Sequence, residues 1–164
     1  MSEPLTLIIQ VVLIGIGATI VMDFWALLLK RLLNIPPLNW AMVGRWIGHF
    51  PRGQFSHENI ASSPAVFGEL VMGWFSHYLI GILFSAFLVI FVGENWIHKP
   101  TLLPAMVFGL ISVVCPFFIM QPGLGAGIAA SKTPTPNKAR TLSLLAHSMF
   151  GLGLYATALL LINI

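Results

Sequence analysis

Four apolar runs, approximately residues 5–33, 64–92, 101–120 and 141–164, constrain this chain more than any motif it contains. At 1.5 Å per residue, each can cross the ~30 Å hydrocarbon core of a bilayer, and the first two are long enough to tilt or project. The predicted fold class is therefore an all-α membrane protein with four transmembrane helices, residues 1–164 forming a single transmembrane domain. Composition agrees: 8% of residues are charged and 57% hydrophobic, whereas soluble domains average about 25% charged residues. With no large soluble domain, a functional site must lie between the helices or in the two longer connections.

The N-terminal MSEPLTLIIQ contains no Lys or Arg, and the apolar run after it is too long for a cleaved leader, so it reads as a retained helix. Cys115 is the single cysteine, which excludes an internal disulfide. Its place beside Pro116 in an apolar run points to packing.

Orientation follows from Lys and Arg. The first connection carries Lys30, Arg31, Arg45 and Arg52, the third Lys132, Lys138 and Arg140, and the second only Lys99. The first and third connections are therefore expected in the cytoplasm and both termini in the periplasm. A net charge of +3 suits anionic lipid, and no nucleic-acid-binding module is present.

Residues 44–60, GRWIGHFPRGQFSHENI, are unusually polar for this chain. From Leu38, apolar Trp40, Val43, Trp46, Ile47 and Phe50 recur at helical spacing, with Arg45 and His49 on the other face, which predicts an interfacial helix in the first cytoplasmic connection. Pro51 is expected to end it near His49, and Ser63-Pro64 to cap and start the second membrane helix. The segment is either a connector lying in lipid head groups, with snorkelling arginines, or a lid over a site.

A site is supported by Asp23, Glu69, His77 and His147, all placed near the midplane or toward the first-connection side. An acidic side chain at the centre of a membrane helix costs ~2.5–3.5 kcal/mol, so such groups face protein or water. Small residues accompany them at intervals of four: Gly15 and Thr19 before Asp23, Gly73 between Glu69 and His77, and Gly151 after His147. This spacing allows close helix approach and serves either a ligand site or interhelical hydrogen bonding. The candidate ligand- or ion-binding set is Asp23, Arg45, His49, His57, Glu69, His77, Gln121 and His147. Gln121 opens QPGLGAG, whose glycines admit close backbone approach but whose context lacks the strand of a dinucleotide fold and the Lys of a P-loop.

Enzyme signatures fail on the residues. His57-Glu58 lacks the second histidine of a zincin, no Glu-x-x-His pair occurs in the second helix, and there is no nucleophile elbow. The chain does carry GATIVMDFW, GRWIGHF, GQFSHENI, ELVMGWFSHYLIGI, QPGLGAG, TPTPNKAR and HSMFGLGLY. In these stretches it resembles a bacterial family of small four-helix integral membrane proteins described as a domain of unknown function. The resemblance implies four helices in a bacterial inner membrane and supplies no reaction, cofactor or catalytic residue.

Three functions stay open. The first is an ion- or ligand-binding membrane protein, including a small transporter acting as a homo-oligomer, with Asp23 and Glu69 as proton or cation sites and the first connection as a gate. The second is a haem- or transition-metal-dependent enzyme or redox protein using His77 and His147. Those histidines lie about 20 and 9 Å along their helices from the cytoplasmic ends, a stagger that disfavours joint ligation of one haem. The third is an accessory subunit whose polar residues only fix packing.

Overall fold

The apolar runs are helical in the computed structural model, which describes residues 3–162. The first crossing is α1 (Glu3–Leu33) and the second α3 (Glu69–Val92). The third joins α5 (Leu102–Ile111), a π-helical turn (Pro116–Met120) and α6 (Gln121–Leu124), and the last is α7 (Pro136–Leu161). Two shorter helices, α2 (Trp40–Gly48) and α4 (Asn95–His98), lie in the connections. No strand occurs among the described residues. Among the described residues, four helices have the length and hydropathy of membrane spans, and only 22–28% of their apolar windows is buried inside the chain. Residues such as Phe24 and Phe91 are exposed; in a multi-pass membrane protein, lipid covers these faces.

The third crossing changes register because two prolines lie six residues apart. Pro116 has no N–H to give the carbonyl one turn earlier, and Pro122 repeats the omission. Between them the chain widens to an i→i−5 bond, from the Gln121 N–H to the Pro116 carbonyl, the usual form of a π-bulge.

Two further boundaries differ from expectation. Ser63 does not cap the second membrane helix. Its hydroxyl donates to the Asn59 carbonyl, 3.3 Å away, as part of a turn over Ile60–Ser62. Gly68, at φ 75°, then breaks the chain immediately before α3. The last helix begins at Pro136, five residues before its apolar run, because proline suits the first helical turn, where the missing N–H costs nothing.

Contacts divide the chain into two compact units. Unit 1 comprises the N-terminal segment through Pro37, Tyr78–Ser112 and the C-terminal segment from Leu145. Its core gathers Ile14 and Ala18 of α1, Leu88 of α3, Ile97 of α4, and Phe150 and Leu154 of α7. Phe84 sets its ring edge-on to Phe108 and Phe150, with centroids 6.2 and 6.1 Å apart. Glycine governs the helix spacing: a β-carbon at Gly15 would sit 2.5 Å from the Ile82 Cα, and one at Gly109 2.6 Å from the Gly151 Cα. Unit 2 comprises Leu38–His77 and Val113–Leu144, and so contains the first and third connections.

Candidate functional site

Unit 2 is built around α2. Asn39 caps this helix, its side chain accepting the Ala41 N–H at 3.1 Å. The helix stops at Gly48, as Pro51 requires, but the chain tightens into a 3-10 turn over Phe50–Arg52 and reverses at Gly53, φ 72°. That reversal returns residues 54–57 alongside α2: the Trp46 indole N–H donates to the Phe55 carbonyl at 2.7 Å. Backbones meet where α2 crosses the start of α3. A β-carbon at Gly44 would overlap the Glu69 carbonyl, and one at Gly73 the Trp40 carbonyl.

This close crossing seats Arg45 against Glu69. Arg45 Nε and Nη2 donate to the two carboxylate oxygens at 2.8 Å each, a fork geometry specific to arginine. Nη1 donates to the carbonyls of Ile60, Ala61 and Ser63 at 3.3, 3.3 and 3.1 Å. Glu69 also accepts the Val66 N–H at 3.0 Å, closing the turn that begins α3. Hydrogen bonding to Glu69 outweighs the effect of burial and raises the pKa of Arg45 above its ordinary value.

The two connection histidines form a buried pair. His49 Nδ1 lies 2.8 Å from His57 Nε2, and His57 Nδ1 lies 3.2 Å from the Gly123 carbonyl. That carbonyl also receives the His57 backbone N–H at 3.0 Å. A carbonyl only accepts, so His57 carries its proton on Nδ1, and its Nε2 accepts from His49 Nδ1–H. In neutral His49 this leaves the Nε2 lone pair bare. His49 is 1% exposed, and its Nε2 has no hydrogen-bond partner. Gln121 adds a second such atom: its amide N–H donates to the Ser143 hydroxyl at 3.3 Å, while Oε1 is buried without a partner. Exchanging the amide's nitrogen and oxygen would leave the other end unpaired instead.

Beside the histidine pair an open cleft of about 350 Å3 is lined by His57, Gly125, Gly127, Ser131 and Lys132, among others. This lies at the small end of ligand-pocket volumes. The close approach needs Gly125, φ 92°, where a β-carbon would overlap the Glu58 carbonyl. Arg140 Nε donates to the Ala129 carbonyl at 2.8 Å, holding a loop in which Ala129 and Ala130 take φ 47° and 59°.

The remaining predicted residues have partners of their own. His77 stacks on Trp40 with centroids 3.9 Å apart, within unit 2. In unit 1, Asp23 accepts the Tyr78 hydroxyl at 3.0 Å. His147 Nδ1 lies 2.7 Å from the Ser112 hydroxyl, which itself donates to the Gly109 carbonyl at 2.6 Å. The hydroxyl's one proton is thereby used, and His147 is the donor. Among the described residues no three His, Cys, Asp or Glu side chains converge as a metal-ligand group.

The family model described as protein of unknown function, DUF2938, matches residues 12–161. The chain belongs to that family. No curated protein and no solved structure matches it.

Sequence reasoning missed Tyr78, Ser112, Ser131 and the placement of Lys132. Tyr78 follows His77 by one residue and leaves the helix about 100° from the glycine stripe that drew attention. Serine is too ordinary in apolar helices for Ser112 to stand out. Lys132 counted only as a charge, and the folding of its loop against residues 57 and 58 had no local signal.

Proposed function

We propose that the protein is a ligand-binding membrane protein, with a site for a small polar ligand or ion in unit 2 beside His49 and His57. The observation that carries this reading is the open cleft beside His57, whose imidazole is fixed between His49 Nδ1 and the Gly123 carbonyl. His49 Nε2, at the other end of the pair, is a buried acceptor without a partner, which costs about 1–3 kcal/mol. Lys and Arg number seven in the first and third connections and the helix turns that flank them, against one in the second. This asymmetry supports a cytoplasmic location for both connections and for the site. A single four-helix transmembrane domain with periplasmic termini would carry it. Gln121 belongs to the same proposal through its buried amide.

Arg45 and Glu69 suit another role within this arrangement. Five hydrogen bonds occupy the guanidinium, which supports a structural latch holding residues 60–69 against α2. Transport would further require polar positions along the membrane helices, and Asp23, His77 and His147 are candidates for that role. Native mass spectrometry of the purified full chain tests the binding proposal. A small molecule or ion should leave with the wild-type protein and be absent from His57→Ala. Equal occupancy in both, or none in either across several mild detergents, would refute it.

A further inference from the structure

The ligand proposed for unit 2 has a chemistry that the loop after α6 narrows. The cleft wall presents one cation, Lys132, one hydroxyl, Ser131, and backbone at Gly125 and Gly127, with no carboxylate among its lining residues. The surrounding sequence is one-sided in charge: no Asp or Glu follows Glu94, while Lys132, Lys138 and Arg140 lie within nine residues of one another. A β-carbon at Gly127 would overlap the Ser131 hydroxyl and sit 2.9 Å from Lys132 Cγ. Both side chains therefore fold over the bare glycine. The adjoining Ala129 and Ala130 hold left-handed conformations that cost alanine about 1–2 kcal/mol each, and such strain is typical of ligand clamps.

The nature of the anion follows from which cation lines the cleft: Lys132 does, and no arginine does. A carboxylate is best held by the planar fork of arginine. Arg45 is already engaged with Glu69, and Arg140 with the Ala129 carbonyl and the Asn137 side chain. Lys132 acts as a point charge, which suits a tetrahedral phosphate whose oxygens take donors from several directions. Resting on the reading that unit 2 binds a ligand, we infer that the cleft takes a phosphate group, with the Lys132 ammonium as its counter-charge and the Ser131 hydroxyl as a donor. The same chemistry is offered by a free phosphate ester and by a phosphomonoester lipid head group.

Binding to the full chain in detergent would be measured by thermal shift at constant ionic strength, with inorganic phosphate against chloride in one arm. In the other arm the protein would meet vesicles of phosphatidylcholine with and without phosphatidic acid, scored by flotation. Saturable stabilisation by inorganic phosphate identifies the free-ester source, and retention only by phosphatidic acid identifies the lipid source. In either case Lys132→Met should weaken the response at least tenfold and Ser131→Ala several-fold, while Lys138→Met, a control for general charge, should leave it near wild type. Lys132 is exposed, so Lys132→Met should match wild-type melting without phosphate. No saturable response in either arm, or equal losses in Lys132→Met and Lys138→Met, overturns the inference. Should a ligand without phosphate still depend on His57 in native mass spectrometry, the phosphate inference alone would fall.

Discussion

A double-mutant cycle on Arg45 and Glu69 would measure what fastens α2 to α3. Arg45→Met keeps much of the aliphatic stem while removing the fork, and Glu69→Gln keeps an acceptor for the Val66 N–H while removing the charge. The pair shares two 2.8 Å charge-assisted bonds, with side chains 16% and 18% exposed. Bonds of this type contribute about 1.5–3 kcal/mol each when buried, and the residual exposure favours the low end. The expected coupling is about 2–3 kcal/mol, well above the 0.2–1 kcal/mol of exposed pairs. Arg45→Met alone should cost more than Glu69→Gln, because it also strips donors from the Ile60, Ala61 and Ser63 carbonyls. The assay is reversible unfolding in mixed micelles followed by tryptophan fluorescence, since Trp40, Trp46 and Trp74 all lie in unit 2. The raised pKa of Arg45 means that its contribution is complete below arginine's ordinary value and is lost only above it. Arginine titration should therefore leave the coupling unchanged from neutral to moderately alkaline pH. A coupling under about 0.5 kcal/mol, in the range of exposed surface pairs, would refute the latch.

Gly44→Ala should destabilise by about 1–3 kcal/mol, the usual cost of overpacking, because its new methyl meets the Glu69 backbone carbonyl and no side chain can yield. Wild-type stability in that variant would contradict the close crossing. With Cys115 replaced, cysteines introduced at Ser56 and Thr135 should resist an impermeant external reagent while one at Asn95 reacts; labelling in the reverse pattern would invert the proposed orientation.

The membrane helices were legible in the sequence because hydrocarbon imposes a length requirement that twenty or more apolar residues state directly. Their ends were less so. Nothing local distinguishes Ser63 as the cap of α3 from Ser63 as a donor to Asn59, since both uses begin with serine before proline. The start of α7 was hidden because Asn137, Lys138 and Arg140 form a polar first turn that hydropathy reads as loop. Glycine spacing carried more information: Gly15 and Gly73 mark backbone crossings that the structure contains. For the candidate site, rarity drew attention to His49 and His57, but their pairing depends on the reversal at Gly53 and on the π-turn that delivers the Gly123 carbonyl. These are tertiary facts, with no periodicity to announce them.

The histidine pair also permits fold stability and binding to be separated. Removing one partner of a buried hydrogen bond leaves the other unsatisfied, whereas replacing both with apolar groups of similar size can be nearly neutral. His49→Ala should therefore destabilise through both a cavity and the orphaned His57 Nε2. The double variant His49→Leu/His57→Leu removes the bare His49 nitrogen as well, and Gly123 keeps the backbone N–H of residue 57 at 3.0 Å. If the imidazoles served only to pack unit 2, the double variant would match or exceed wild-type stability and retain whatever the protein binds. If they are kept for a ligand, it should be close to wild type in melting and empty in native mass spectrometry. A buried nitrogen retained at a cost to folding is explained by the second outcome and unexplained by the first.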